Sequence, residues 1–224
     1  MNTMTSYVLP CDHPARRLLD GLFCLSNIIE NEAAFLGAGF EIRRKKRRSL
    51  MRVATHPMLP GYVFKTFFVD ERDCERPKLH GWKGFDVRCK RAERIRQVIQ
   101  EQRIQHFKVP MKWLFHAPHH SLCAPDDQPK ILIAEFQELL SQEESDHAWL
   151  HGVTECHLAE LYAIINRAGG TSYRPDNIPL TKQGSFAFID TEHSTDGHDY
   201  ESIAPYLSTQ MRAYWSNLIK FRNE

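Results

Sequence analysis

The sequence predicts an α+β fold, in which strands gather in the first part of the chain and helices in the second. Residues 62–69 are rich in aromatic and β-branched side chains, which is typical of a strand. Residues 88–105 carry apolar side chains at helical spacing among charged neighbours, including Ile95 and Val98. A second helical pattern covers residues 148–168 and ends at a Gly-Gly pair, which is typical of a helix C-terminus.

The other elements follow from the same criteria of period, turn residues and β-branched content. An amphipathic helix is predicted over residues 16–29, and the glycine-bearing apolar segment 33–42 predicts a strand that runs into a turn. The polar segment 71–85 predicts a loop. Further strands are predicted at residues 50–54, 108–117, 130–139 and 185–190, and a final helix at about 203–221.

Length and composition indicate one ordinary globular domain. The chain has 224 residues, of which 42% are apolar and 25% charged, and its net charge of +1 gives no overall field towards nucleic acid or membrane. The first ten residues lack the charged and apolar regions of a secretory signal, and no apolar run reaches the roughly 20 residues of a membrane span. We therefore expect a soluble, cytoplasmic protein.

The cysteines are predicted to be reduced thiols that mostly serve packing. None of the six forms a C-x-x-C pair, and no export signal points to an oxidising compartment. They are Cys11, Cys24, Cys74, Cys89, Cys123 and Cys156.

One late segment carries a specific chemical pattern. The tetrapeptide R-P-D-N at residues 174–177 ends on Asn177, and Asp190 follows thirteen residues later, at the end of an apolar strand. Protein kinases end their catalytic loop on K-P-x-N and bind metal through an aspartate about a dozen residues later. The segment therefore resembles the catalytic and metal loops of the protein-kinase-like family. The I-D-T-E sequence at residues 189–192 is similar to the I-D-x-E variant of small-molecule kinases.

Earlier segments extend this resemblance over residues 33–192. The G-Y-V-F-K sequence at residues 61–65 resembles the V-A-I-K strand of kinases, whose lysine corresponds to Lys65. The helix after it offers Glu93 as the acidic partner of that lysine, with Glu101 as the second choice.

Two further segments resemble the parts of a kinase that surround the nucleotide. Residues 131–139 resemble the strand that leads into the hinge, so Glu135 and Phe136 are predicted to contact adenine. The Gly-Ala-Gly sequence that contains Gly37 and Gly39 resembles a shortened glycine-rich loop, in which backbone N–H groups approach phosphate closely.

The resemblance implies a single kinase-like domain over residues 1–224. Residues from about 30 to 137 would form a β-rich N-terminal lobe with the hinge, and residues 138–224 a reduced helical C-terminal lobe. It also implies ATP and Mg²⁺ as cofactors, with transfer of a phosphoryl group to a protein or small-molecule hydroxyl.

The roles of the site residues come with the resemblance. Lys65 would hold the phosphates and Glu93 would orient Lys65. Asn177 and Asp190 would bind Mg²⁺ through oxygen, the ligand that this ion prefers. Asp176 stands beside Asn177 as an acidic neighbour within the catalytic set.

The sequence departs from the kinase pattern at the catalytic base. In this register the catalytic aspartate is replaced by Ser172, which cannot act as a carboxylate base. Only 34 residues follow Asp190, fewer than a full helical lobe needs. The alternative to an active kinase is therefore a pseudokinase that serves as a binding or scaffold module. Trimmed kinases of this kind are familiar among bacterial effectors, so the resemblance also allows delivery into a host cell.

Simpler interpretations of the same residues remain open. Lys65 could be a strand lysine whose amine runs to solvent. Residues 174–177 could form a turn for local reasons, because proline, aspartate and asparagine favour turns. Glu93 could make only i,i+4 pairs on a charged helix. Asp190 and Glu192 could be a solvated strand end.

The six consecutive basic residues 43–48, from Arg43 to Arg48, have three interpretations. They could contact an acidic partner, nucleic acid or anionic lipid, or they could be a localisation signal. The interpretation we favour is a solvated loop between two strands. A third function class follows from this run, namely a protein that binds nucleic acid or inositol phosphates without ATP.

A group of possible zinc ligands lies between residues 116 and 123. It consists of His116, His119, His120 and Cys123. Prolines stand close to both ends of the segment, and no second closely spaced pair follows, so we do not predict a zinc site there. The adjacent Cys156 and His157 are the only other candidates. Met111, Trp113 and Phe115 are interpreted as strand packing.

Overall fold

The computed structural model describes residues 7–45, 51–68, 82–118, 128–191 and 197–222. The chain divides into two compact units. The first consists of Met1–Cys89 and Met111–Phe136, and the second of Lys90–Pro110 and Gln137–Glu224.

The strands and helices confirm the α+β class predicted from the sequence. In chain order the strands are β1 (Glu41–Lys45), β2 (Arg52–Thr55), β3 (Tyr62–Thr66), β4 (Phe107–Lys108), β5 (Lys112–His116), β6 (Lys130–Glu135) and β7 (Phe186–Ala187). The α-helices are α1 (Pro14–Leu25), α2 (Glu32–Gly37), α3 (Lys83–Glu101), α4 (Gln142–His147), α5 (Glu155–Ala168) and α6 (Thr209–Arg222). A π-helical turn (Ala148–Gly152) joins α4 to α5, and a 3₁₀ turn (Ala204–Tyr206) precedes α6.

The first unit is built on a five-stranded antiparallel sheet with the order β1-β2-β3-β6-β5. Strand β3 lies at its centre, where Val53 and Leu132 on the two neighbouring strands are the register partners of Lys65. A register shift between Ile42 and Arg44 marks an irregularity in β1. The central position of β3 explains its aromatic and β-branched composition, since such side chains fit a covered, pleated surface.

Aromatic rings fill the core of the first unit. Phe35, Phe40, Phe64 and Phe68 are all buried, and the rings of Phe35 and Phe40 stack with their centroids 4.1 Å apart. Each of these side chains buries on the order of 150–250 Å² of surface, so the cluster is a major source of hydrophobic stabilisation.

Helix α2 corrects the prediction of a strand at residues 33–42. The Asn31 side chain accepts the Ala34 N–H at 2.9 Å and so provides an N-terminal cap. The helix closes at Gly39, which adopts φ +90° and donates its N–H to the Leu36 carbonyl at 2.9 Å. Short apolar runs do not distinguish strand from helix, and the cap decides in favour of the helix here.

The second unit has a core formed largely by α5. Six apolar residues of this helix are buried, and all but the last, Ala168, lie on the face that the helical pattern predicted. The other five are Leu158, Leu161, Tyr162, Ile164 and Ile165. Ile95 and Val98 of α3 join the same cluster, as do Trp149 and Trp215. The single helix predicted over residues 148–168 is interrupted, because α5 begins only after the π-helical turn.

The predicted strand at residues 185–190 is shorter in the structure. Only Phe186 and Ala187 form a ladder, which is parallel to the two residues of β4.

Among the described residues, no helix combines the length and apolarity that a membrane crossing requires.

Candidate functional site

The segment that leaves α5 is held by an arginine from α3. The Arg91 guanidinium donates to the Gly169 carbonyl and to the Tyr173 hydroxyl, the latter at 2.7 Å. Gly170 has φ +100°, and a Cβ at this position would overlap the Arg91 guanidinium. The Gly-Gly pair therefore does more than end α5, because the second glycine leaves the space that Arg91 occupies.

Tyr173 is a buried member of the same arrangement. Burial raises the pKa of the Tyr173 hydroxyl, and the neighbouring positive charge of Arg91 offsets only part of this effect. The hydroxyl thus stays protonated and donates to the Gly169 carbonyl. Arg91 and Tyr173 together fix the start of the segment that the sequence assigned to a catalytic loop.

Asp199 anchors the next residue of the segment. Its Oδ2 accepts the Ser172 N–H at 2.8 Å and also the Ser202 hydroxyl, while Oδ1 accepts the N–H groups of Glu201 and Ser202. Burial acts to raise the pKa of Asp199, but the hydrogen bonds from Ser202, Ser172 and Glu201 outweigh it and hold the pKa below its ordinary value. The carboxylate is therefore an ionised anchor for a serine whose φ is +65°.

Asn177 closes the turn and lies next to Asp190. Its side-chain Nδ2 donates to the Ser172 carbonyl at 2.8 Å, and only 6% of the residue is exposed. Its backbone carbonyl accepts the N–H of Ile189 at 3.0 Å and, more weakly, that of Asp190 at 3.5 Å. The structure thus brings together the two residues that the sequence proposed as metal ligands. The Oδ1 atom of Asp190 is buried from solvent.

Asp176 lies at the surface of the same turn. Its Oδ1 is 3.4 Å from Nε of Arg174, and both side chains are partly exposed. The turn itself is closed by the N–H groups of Asn177 and Ile178, which both donate to the Arg174 carbonyl at 2.9 Å. The interpretation of residues 174–177 as a turn is therefore correct, and the same turn holds Asn177 beside Asp190.

Lys65 lies on the central strand β3 of the first unit. Only 8% of the residue is exposed, so the interpretation of a side chain that runs freely to solvent does not hold. Lys65 belongs to the first unit, whereas Asn177 and Asp190 belong to the second.

Helix α3 carries both of the acidic residues predicted as partners of Lys65. Glu93 is exposed on α3, and Glu101 accepts a hydrogen bond from Gln97 one turn away at 2.7 Å. The same helix buries Arg88 and Arg91, which are 2% and 7% exposed. These two arginines are therefore not part of a solvated charged face, because each has contacts in its own unit. Arg88 lies against Phe85 and the Met51 sulfur, and Arg91 against Tyr173.

The proposed hinge residues use their backbone N–H groups within the first unit. The N–H of Glu135 donates to the Met111 carbonyl at 3.1 Å, and that of Phe136 donates to the Gly61 carbonyl at 2.8 Å. The Glu135 carboxylate accepts the Met111 N–H at 2.9 Å. The Phe136 side chain is 45% exposed.

The glycines assigned to a phosphate loop end a helix. Gly37 is the last residue of α2, and Gly39 lies against the His56 ring, whose Nε2 is 3.2 Å from the Ala38 carbonyl oxygen. They follow a helix and precede β1, and so do not connect two strands as a glycine-rich loop does. Their contact with phosphate stays a prediction.

The basic run begins inside a strand. Its first three residues belong to β1, where Arg43 pairs with Glu41 at 2.8 Å and donates to the Thr55 hydroxyl at 2.9 Å. The solvated-loop interpretation is therefore wrong for these three residues. Residues 46–50, which include the end of the run at Arg48, lie outside the described residues, as does Glu192.

Four of the six cysteines, and one of the four possible zinc ligands between residues 116 and 123, lie within the described part of the chain. Cys11, Cys24 and Cys156 are exposed thiols and Cys89 is buried, so packing describes only one of these four cysteines. His116 has its Nδ1 3.3 Å from Gln128 Oε1. The described residues do not include Cys74, His119, His120 and Cys123.

Comparison with known proteins does not show a family for this chain. No family model and no curated protein matches the chain. Two crystal structures of WbdD are similar, one of them a co-crystal with the kinase inhibitor LY294002. The first is 15% identical over 70% of this chain with a TM-score of 0.38, and the second 16% identical over 69% with a TM-score of 0.37. The chain spans 33% of the length of WbdD, and at these scores the likeness carries no argument about function. The α+β class and the antiparallel sheet are compatible with a kinase-like fold.

Proposed function

We propose that this chain is a kinase-like protein that binds ATP together with Mg²⁺. Asn177 and Asp190 are the proposed metal ligands, and Lys65 is the proposed phosphate ligand. The observation that carries the proposal is the hydrogen bonding of Asn177, which fixes its side chain on Ser172 and its backbone beside Asp190.

The donor chemistry of these two residues fits Mg²⁺. The Asn177 side chain donates a hydrogen bond from its amide N–H₂ group to the Ser172 carbonyl. The amide oxygen Oδ1 is therefore the atom that can bind a cation. Asp190 adds a carboxylate on the adjoining backbone. One amide oxygen and one carboxylate suit a hard cation that keeps several waters and takes its other ligands from substrate phosphates.

Lys65 supplies the positive charge that the proposal needs. Lys65 lies on the central strand with 8% of the residue exposed, and its ammonium is the kind of group that binds nucleotide phosphates in phosphoryl transfer. The orienting role of Glu93 stays a prediction. Since the N–H groups of Glu135 and Phe136 are already used, a hydrogen-bond donor to adenine would come from another residue.

The second part of the proposal is that the chain binds ATP without phosphoryl transfer. In the register of the sequence resemblance, Ser172 stands where a kinase has its catalytic aspartate. The nearby carboxylate of Asp199 already accepts hydrogen bonds from Ser172, Glu201 and Ser202. Asp176 is paired with Arg174. A general base needs a free lone pair within reach of the substrate hydroxyl. We therefore expect the wild-type protein to hydrolyse ATP, and to transfer phosphate from it, no faster than an Asp190→Ala variant does.

The proposal also includes a protein partner or substrate. The exposed Arg43 is a candidate contact for such a partner if it is acidic. Replacement of the six basic residues should weaken such a partner's binding and leave ATP affinity unchanged.

Thermal unfolding with ATP and Mg²⁺ tests the proposal. Ligand that binds only the folded state stabilises it by about 2.7 kcal/mol at a concentration of about 100 Kd. Wild type should therefore show a rise in Tm at millimolar ATP·Mg²⁺, and Lys65→Ala and Asp190→Ala should show less. Lys108→Ala and Asp146→Ala remove the same charges elsewhere and should retain the full rise. A wild-type Tm that does not move would contradict the proposal.

A further inference from the structure

Two potential metal ligands lie one turn apart at the start of α5. Cys156 and Glu160 are separated by four residues on this helix, so their side chains lie on the same face. Cys156 is exposed and its thiol is free, whereas the Glu160 side chain is only 17% exposed. The helix therefore presents a thiol at the surface with a carboxylate beneath it.

The carboxylate of Glu160 is held in place by the chain that leads into β4. It accepts the Gln105 N–H at 3.2 Å and the His106 N–H at 3.0 Å. These hydrogen bonds orient the carboxylate, as outer-sphere contacts commonly do for metal ligands. They also bring the His106 imidazole close to the Glu160 carboxylate, because the backbone N–H of His106 donates to that carboxylate.

His106 contributes the third ligand atom. Its Nδ1 is buried and lies 3.1 Å from Oε2 of Glu160, yet it has no hydrogen-bond partner among the described residues. Potential ligand atoms of His106, Cys156 and Glu160 all lie within 4.8 Å of one another. A buried ring nitrogen that lies beside a carboxylate oxygen without a hydrogen bond, in a group that includes an exposed thiol, requires an explanation.

The spacing and the types of atom fit zinc. Bonds of about 2.0–2.1 Å to nitrogen and oxygen place two tetrahedral ligands about 3.3 Å apart, close to the observed 3.1 Å. Imidazole, thiolate and carboxylate are the three ligand types that zinc uses, whereas Mg²⁺ selects oxygen. Three protein ligands leave one position for water.

We infer that the second unit binds one zinc-class divalent cation through His106 Nδ1, the Cys156 sulfur and a Glu160 carboxylate oxygen. Binding requires the thiolate, so the thiol proton of Cys156 leaves to solvent, and the affinity falls as the pH falls. The site uses none of the proposed nucleotide ligands, and the inference does not depend on them.

His157 lies beside this group and is held by other contacts. Its Nδ1 accepts the Thr154 N–H at 3.3 Å, in the cap of α5, and its ring lies 4.2 Å from the His106 ring. This packing restricts the orientation of the His106 ring. The sequence offered Cys156 and His157 as candidate ligands. In the structure the residues grouped with Cys156 are His106, which stands 50 positions before it, and Glu160, which stands 4 positions after it.

Zinc titration of chelator-stripped protein tests the inference. Wild type should bind one Zn²⁺ at this site with a dissociation constant below about 1 µM. The Cys156→Ser variant should weaken this binding by more than about tenfold, since loss of even an outer contact costs that much. Cobalt offers a second readout, because a thiolate ligand gives Co²⁺ a charge-transfer band that Cys156→Ser should abolish.

Matched variants identify the thiol that is responsible. Cys24→Ser removes another exposed thiol, and Cys123→Ser removes the one in the other histidine-rich segment, so neither should change the affinity or the band. Asp190→Ala should also bind zinc like wild type. Absence of submicromolar binding, a cobalt band that survives in Cys156→Ser, or a band that is lost in Cys123→Ser would each overturn the inference. The first outcome would leave a simple His106–Glu160 ion pair.

Discussion

The side-chain amide of Asn177 donates a 2.8 Å hydrogen bond to the carbonyl oxygen of Ser172, five residues earlier. This bond ties the two ends of the turn and fixes which atom of the asparagine remains for a ligand. The same residue receives the N–H of Ile189 on its backbone carbonyl. Asn177 therefore joins the segment after α5 to the segment that carries Asp190.

Replacement of Asn177 by aspartate should destabilise the fold. The variant keeps the shape and the oxygen of the side chain but loses the donor, which leaves the Ser172 carbonyl without this bond in a largely buried place. We expect a loss of about 1–3 kcal/mol in the free energy of unfolding, measured by urea denaturation. The exposed control Asn166→Asp should change it by less than about 0.5 kcal/mol. Equal losses in the two variants would contradict the role of the bond.

The anchoring carboxylate of Asp199 predicts a pH dependence. Its pKa in the folded state lies below the ordinary 3.8, so its contribution to stability is fully present above pH 3.8 and is lost as the pH falls through the lower folded value. Asp199→Asn lacks this contribution. The difference in unfolding free energy between wild type and Asp199→Asn should thus be constant near neutral pH and shrink at acid pH. A difference that stays constant down to the acid transition would show that ionisation is irrelevant.

Gly170 and Gly184 provide a matched pair for the contact with Arg91. Both adopt positive φ, +100° and +84°, but only Gly170 has a neighbour in the space where a Cβ would lie. Gly184→Ala should cost about 1–2 kcal/mol for the left-handed backbone alone. Gly170→Ala should cost about 2–5 kcal/mol, because the overlap with Arg91 is added.

A double-mutant cycle separates the two causes at Gly170. In an Arg91→Ala background, the additional cost of Gly170→Ala should fall towards that of Gly184→Ala, since the overlapping guanidinium is gone. Both free energies come from chemical denaturation. An undiminished cost in that background would mean that Arg91 is not the reason for glycine at this position.

Long amphipathic segments were predictable from the sequence, whereas short ones were not. Helices α3 and α5 bury the apolar residues that their periods indicated, since a pattern sustained over three or more turns leaves little ambiguity. Helix α2 is six residues long, and its apolar, glycine-bearing sequence was equally consistent with a strand. Its cap at Asn31 was the local signal that could have identified it.

The candidate site shows the same division between local and distant information. The spacing of Asn177 and Asp190 indicated that they act together, and the structure places them side by side. Arg91 and Asp199 were missed, because their partners Tyr173 and Ser172 stand 82 and 27 residues away along the chain. Such contacts are set by the packing of whole elements and leave no trace in a local pattern. The position of the His106 Nδ1 atom beside Glu160 could not be predicted for the same reason, since the two residues stand far apart along the chain.

Titration calorimetry of ATP with and without Mg²⁺ tests the central proposal most directly. Wild type should bind ATP, and Mg²⁺ should strengthen that binding by more than about tenfold, because the metal joins the phosphates to two protein oxygens. Asp190→Ala should lose the magnesium-dependent part, and Lys65→Ala should bind ATP more weakly in either condition. Wild type that fails to bind millimolar ATP, or an Asp190→Ala variant that keeps the full magnesium effect, would contradict the proposal.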